Sequence, residues 1–434
     1  MVQFRNILKN CLKKTESQAG GCRELVGKVY RIECELGEIA TNSHKAKDNG
    51  QTTYDSGRDF FETTASRERF KSNRFRELML DFSTDMSDRK AAARLNRIRL
   101  EQQGINPTTY RNTIEREGQR IWQCMERKCE EALSRNGFGP DGEFPCGSEF
   151  KPGKGRHIEP DEIEHAAAEL NIKRFEPSDY ESPEHSINIS VDDVCVKRQS
   201  DRRPKEENST QPKRVNNTVI HVQGSEGKYI LNAATLSGAL RLLVGFLLNC
   251  GLLGCQLVFF TDGARDLHGA IPKVFHFANI KIILDWYHLK KKCQEQLSMA
   301  LKGSRIRNEF LKELLPCLWF GNVDGAILLL RNIDGNKVKN HEMVTKLIEY
   351  LERVRGFVPC YALRKKLGLR NSSNLGEKAN DLVVANRQKH NGMSWSGEGS
   401  VAFASVASAS CNSEINNWVY FHAIKFAIVD DTAA

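Results

Sequence analysis

The most regular pattern in the chain is a pair of short apolar runs that each end on an acid. Leu257-Val-Phe-Phe-Thr leads into Asp262-Gly-Ala-Arg265, and Ile280-Lys-Ile-Ile-Leu leads into Asp285-Trp-Tyr-His288-Leu289. A strand buried on both faces reads as a continuous apolar run, and open α/β sheets carry their chemistry just beyond the carboxyl ends of their strands. Endings 23 residues apart (285 minus 262) leave room for a crossover helix, so this stretch predicts a βαβ unit. Upstream, apolar residues alternate at Ile187, Ile189 and Val191 and predict a strand with Asp192 and Asp193 near its middle. Two carboxylates inside a strand are costly unless paired, solvated or holding a metal. Neighbours along a strand point to opposite faces, so at most one of the two is expected to meet Asp262. Strands at Thr218 to Gln223 and Lys228 to Asn232, around the turn Gly224-Ser-Glu-Gly227, complete an antiparallel meander, and a helix from Thr235 to about Cys250 leads on to Leu257.

Elsewhere the period is helical. Residues 65–137 read as helical, either an ordinary helical hairpin with a solvated charged face or, if the rest of the chain calls for a DNA partner, a DNA-reading helix-turn-helix. Ser87 caps a helix with Ala91, Leu95 and Ile98 on one face, and Asn106-Pro107 opens a second that carries Arg111, Arg116 and Arg120. Residues 1–64 form an accessory region without assigned chemistry, with a helix near Phe4 to Lys14, a strand near Lys28 to Glu35 and a loop from Thr41 to Gly57. Glycine and proline punctuate a linker over 138–183, with one short helix at Asp161 to Leu170. The core then occupies 184–300, broken by a charged loop from Arg198 to Asn217, and resumes over 371–434 after a helical insertion at 301–370. The helices from Trp286 onwards are expected at Trp286 to Leu301, Arg305 to Leu318, Val323 to Asn332 and His341 to Val354. After Asn371-Ser-Ser-Asn, a helix places Leu375, Ala379, Leu382 and Val383 on one face and leaves Glu377 free to face a cleft, with Asp381 one turn later as the runner-up.

Composition narrows this little. The 64 Lys and Arg exceed 55 Asp and Glu, giving a net charge of +9, which is compatible with a nucleic-acid partner without requiring one. The thirteen cysteines include no CxxC pair, so packing thiols are expected rather than a zinc module. No run approaches the ~18 apolar residues of a membrane span, and the expectation is a cytoplasmic protein.

Asp192 (or Asp193), Asp262 and Glu377 are 70 and 115 residues apart (262 minus 192, 377 minus 262), yet a strand, a strand end and a helix can bring them together. Carboxylates are hard oxygen ligands, and phosphoryl transfer uses such clusters to hold two magnesium ions roughly 4 Å apart. The strand order matches the ribonuclease-H-like fold, a mixed sheet flanked by helices. The motifs Ser190-Val-Asp192-Asp, Thr261-Asp262-Gly-Ala-Arg265, Asp285-Trp-Tyr-His288, and Leu375-Gly-Glu377-Lys-Ala-Asn with Arg387 and Gly392-Met-Ser-Trp395 resemble those of bacterial insertion-sequence DDE transposases, in the group similar to Mutator-like transposases. The resemblance covers about 187–420 and implies that Asp192, Asp262 and Glu377 are catalytic and bind two Mg²⁺ or Mn²⁺ ions. Its motif register favours Asp192 over Asp193. It further implies that Asp285 and His288 are auxiliary, that Arg265, Lys378 and Arg387 contact DNA, and that Trp395 stacks on a displaced base. The partners it implies are double-stranded DNA, as terminal inverted repeats and target, and further copies of the chain. A DNA-binding regulator without catalysis, or a nuclease of the same fold, are the alternatives.

Overall fold

The computed structural model describes residues 24–48, 51–55, 70–100, 104–145, 158–173, 180, 182, 185–199, 213–389 and 393–428. The helix expected at Phe4 to Lys14 lies outside them, as do Gly392 and most of the charged loop. The chain divides into two compact units, Met1–Glu117 with Ile415–Ala423, and Gly118–Glu414 with Ile424–Ala434.

The first unit is not all-helical. Strands β1 (Glu24–Cys34), β2 (Gly37–Asp48), β3 (Gln51–Asp55) and β4 (Phe70–Lys71) form a sheet in the order β3-β2-β1-β4. The stretch expected as a loop from Thr41 therefore belongs to two strands. Its run of Thr, Asn, Ser, His and Lys hides them, because a hairpin ladder is built from backbone groups and needs no apolar period. Helices α1 (Asn73–Asp85), α2 (Asp88–Ile98) and the beginning of α3 (Pro107–Arg135) follow, with Ser72 and Ser87 capping the first two. Asn106 Oδ1 accepts from the Thr109 amide at 2.8 Å, so Asn106-Pro107 does open a helix. That helix runs for 29 residues and is shared by both units, where a short second helix and a boundary near 137 were expected. Ala91 and Leu95 are buried as predicted, whereas Ile98, in the last turn, is exposed.

The second unit is a mixed α/β domain. After α4 (Pro160–Glu169), strands β5 (Ser186–Lys197), β6 (Arg214–Gln223), β7 (Lys228–Ala233), β8 (Gln256–Thr261) and β9 (Ile280–Leu284) form a five-stranded sheet in the order β7-β6-β5-β8-β9. The first three pair antiparallel, and β5-β8-β9 are parallel. All six residues of β8 are buried, as the continuous apolar run requires. Two crossover helices, α5 (Leu236–Asn249) and α6 (Arg265–Val274), connect β7 to β8 and β8 to β9.

Helices α7 (Trp286–Ala300), α8 (Ser304–Trp319), α9 (Val323–Arg331) and α10 (His341–Val354) start and stop within about a residue or two of expectation, because Asp285, Asn322 and Asn340 cap three of them. They share an apolar core with Val258, Phe260, Ile283 and Leu284 of the sheet. After α11 (Tyr361–Lys366) comes α12 (Asn374–Asn380), which continues as a π-helix over Asp381–Lys389. The wider winding shifts the expected apolar face: Val383, Val384 and Ala385 are buried and Leu382 is exposed. Helix α13 (Gly397–Cys411) packs on β6 and β7, and α14 (Ile415–Phe421) belongs to the first unit. Among the described residues no helix is long and apolar enough to cross a membrane.

Candidate active site

Strand register brings the acids to one edge. In the parallel pair β5-β8, Ser190 lies opposite Phe260, so Asp192 and Asp262, each two residues further on, are level on neighbouring strands. Thr261 lies opposite Leu284 in the next pair, which brings Asp285 level with Asp262. Neighbouring strands are about 4.8 Å apart. Three separate stretches of chain thus bring Asp192, Asp262 and Asp285 to level positions on neighbouring parallel strands.

Each acid has a different environment. Asp192 is half-buried, and burial together with the nearby charge of Asp262 pushes its carboxyl up to about 6. It accepts hydrogen bonds from the Asp193 amide at 2.9 Å and from the Asn380 side chain. Asp193 is exposed and bonded instead to the Thr218 hydroxyl of β6. The two acids therefore separate as strand alternation requires, and Asp192 is the one coupled to Asp262. Asp262 is exposed in the turn after β8, where its Oδ1 accepts from the Ala264 amide at 2.8 Å. Asp285 is buried and caps α7. Burial alone would raise its carboxyl, but hydrogen bonds from His288 and Ser373 outweigh that and hold it below the ordinary aspartate range.

Glu377 reaches this edge from α12, which packs on β5 and β6. The approach is close because residue 376 is glycine: a Cβ there would stand 2.5 Å from Ser190 Cβ. His288 lies between the acids, its Nδ1 3.5 Å from Asp285 Oδ1 and its Nε2 3.5 Å from Glu377 Oε1. At those separations the attraction is chiefly that of charge. Asp285 raises the imidazole's proton affinity against the effect of burial, and Glu377 and Asp262 add to it.

Asp192, His288, Glu377 and Asn380 line a cleft of about 1030 Å³, whose wall also carries Lys197, Lys213, Arg214, Lys291 and Lys389 and the exposed ring of Tyr287. Asp262 lines a neighbouring cavity of about 330 Å³ with His288, Lys291, Lys292, Tyr350 and Arg353. Among the described residues no three His, Cys, Asp or Glu side chains stand close enough together to enclose a cation as they are. The donor set nevertheless fits a hard divalent ion. Burial and the charge of Asp262 make the Asp192 carboxyl costly to ionise, and a cation held by the two carboxylates would offset that cost.

The other sequence-predicted residues are not gathered here. Lys378 and Arg265 are exposed, Lys378 one residue after Glu377 and Arg265 at the first turn of α6. Arg387 is buried, its guanidinium 5.1 and 5.2 Å from the ring centres of Trp395 and Phe403. Trp395 is 3 % exposed and donates its indole N–H to the Gln388 carbonyl at 3.2 Å, so both are core residues, closed to phosphate or base. In the first unit Arg111 is held by Asp88 at 2.7 Å, with its side chain 45 % exposed. Arg116 and Arg120 are half-buried, so the three arginines do not form one solvated stripe. Asn380, Ser373, Gly376 and the basic wall escaped the sequence reading. Asn380 stands one turn after Glu377, the one signal that could have exposed it. No protein-family model, curated protein or solved structure matches the chain.

Proposed function

We propose that the second unit is a ribonuclease-H-like core and that the chain is a DNA transposase of the DDE type, transferring DNA strands with the help of divalent cations. The observation that carries this reading is the register that sets Asp192 level with Asp262, together with the packing of the Glu377 helix on the same strands. Asp192, Asp262 and Glu377 would hold Mg²⁺ or Mn²⁺. Such ions, when bound, activate a water or 3′-hydroxyl nucleophile and stabilise the leaving oxygen.

The chain's own groups supply the rest. Lys197, Lys213, Arg214, Lys291 and Lys389 offer positive charge to a phosphate backbone along the cleft. Tyr287, 54 % exposed, offers a ring to an unpaired base, the role first expected of Trp395. His288 stands between Asp285 and Glu377, with Asp285 foremost in raising its proton affinity, and so links the glutamate to the buried aspartate. Asp285 in turn joins the start of α7 to Ser373, just before α12.

The test is a strand-transfer assay with labelled DNA carrying the ends that flank the gene, in Mg²⁺. The reading expects joined products that disappear in Asp262→Ala and Glu377→Ala, with DNA affinity retained. Cut ends without joining would make the protein a nuclease, and binding without cleavage a regulator. Full cleavage by Asp262→Ala would overturn the site.

A further inference from the structure

The turn that carries Asp262 is held from outside by the helical segment that follows the sheet. Gly263 has φ +88°, and a Cβ there would meet Tyr350 Oη at 3.0 Å and Leu284 Cδ1 at 3.1 Å. Its carbonyl accepts from Arg353 Nη1 at 3.0 Å. At the far end of the turn, His268 Nε2 lies 2.7 Å from Thr261 Oγ1, and the His268 ring rests 4.1 Å, centre to centre, from Phe357. Tyr350 and Arg353 lie three apart on α10, and Phe357 follows four residues later in the 3₁₀ turn Arg355–Phe357. That spacing places all three on one helical face.

The Arg353 bond matters because of what shares its peptide. The Gly263 carbonyl and the Ala264 N–H belong to one planar unit, so fixing the carbonyl on one side fixes the N–H on the other. That N–H donates to Asp262 Oδ1 at 2.8 Å. Arg353, the Gly263–Ala264 peptide and the Asp262 carboxylate therefore form one chain of contacts. Arg353 is itself exposed, so its removal leaves no unpaired buried charge and little reason for the fold to fail.

We propose that Arg353 is a positioning residue for Asp262, and that the helical segment thereby completes the active site instead of merely interrupting it. The proposal rests on the reading of Asp262 as a cation ligand. Partners that orient a metal ligand from behind typically change affinity by about 10- to 100-fold when removed.

The experiment is calorimetric titration of Mn²⁺ into the full chain and its Asp262→Ala, Arg353→Ala and Arg353→Lys variants, with amide hydrogen exchange at Ala264 and a melting curve for each. Arg353→Ala is expected to bind Mn²⁺ about tenfold more weakly and to lose protection at Ala264, with its melting temperature little changed. Arg353→Lys keeps a donor for one carbonyl and is expected to recover part of both, a graded response that general destabilisation would not give. Unchanged Mn²⁺ affinity and Ala264 protection in Arg353→Ala, with affinity lost in Asp262→Ala, would overturn the proposal and leave the site reading standing. Weaker DNA binding with unchanged Mn²⁺ affinity would also overturn it, making Arg353 a phosphate contact. Mn²⁺ binding undiminished in Asp262→Ala would remove the reading on which the proposal stands. Should Arg353→Ala not fold, exchange at Ala264 in Arg353→Lys decides: protection equal to the parent's overturns the proposal.

Discussion

Side chains with similar signatures in the sequence divide sharply by environment. Trp395 and Arg387 belong to a motif that suggested DNA contact, yet they pack on each other and on Phe403. Tyr287, beside two more conspicuous residues, is the exposed ring of the cleft. Tyr287→Ala is therefore expected to weaken single-strand binding by about 1–3 kcal/mol. Trp395→Phe should instead lower the melting temperature and leave affinity unchanged, and fluorescence anisotropy with an oligonucleotide separates the two. A second residue-scale prediction concerns Glu414, which is buried and accepts from the Lys425 and Phe426 amides at 2.8 and 3.1 Å. Burial pushes its carboxyl up despite those bonds. The folded state thus holds this proton more tightly than the unfolded chain does. The resulting stability is complete below the ordinary glutamate value of about 4.3 and is lost as pH rises through the folded-state value. Glu414→Gln removes that titration, so urea unfolding followed from about pH 4 to pH 8 should show a flatter profile than the parent's. An identical slope would mean that the carboxyl is not perturbed.

At the scale of elements, α12 is the piece whose placement decides the site. Gly376 allows it to lie against Ser190, two residues before Asp192. Gly376→Ala sets a methyl against Ser190 Cβ, and the overpacking should cost roughly 1–3 kcal/mol. It should also carry Glu377 and Asn380 away from Asp192, lowering cleavage by more than the loss of folded protein explains. Adding Ser190→Gly removes the opposing Cβ and should restore both stability and cleavage. If the double variant remains as impaired as the single one, close packing is not what Gly376 supplies. The same elements show what the sequence can convey. Strands β8 and β9 and helices α7, α9 and α10 were legible because apolar period, cap and length agree there. The π-helix was not, since a change of winding leaves composition untouched while rotating every later residue. Gly118 stands mid-way along α3, where the backbone of Ala402 leaves no room for a Cβ.

Over the whole molecule, the net charge of +9 says less than its distribution does. The antiparallel meander and the βαβ unit could be read from apolar runs and turns, whereas the pairing of β5 with β8, which sets Asp192 level with Asp262, was expected only from the likeness of the strand order to a ribonuclease-H-like fold. In the first unit β1 could be read, from the strand expected near Lys28 to Glu35, but β2 and β3 could not, because they are largely polar. Nor could the basic wall of the cleft, whose members come from β5, β6 and the residue before it, α7 and the π-helix and lie far apart along the chain. Each cation that neutralises a phosphate of duplex DNA releases condensed counterion and steepens the salt dependence of binding by about 0.9 in log–log terms. Lys197, Lys213, Arg214, Lys291 and Lys389 acting together would give a slope of about −4.5. Replacing Lys213 and Arg214 by alanine should flatten it by nearly two, because those side chains line the cleft. Replacing Arg111, which is already held by Asp88, should change it much less. Anisotropy titrations from about 50 to 200 mM salt measure both. If losing Arg111 flattened the slope as much as losing the cleft pair, the phosphates would not follow the wall beside the acids, and the cleft would lose its claim to be where DNA meets the carboxylates.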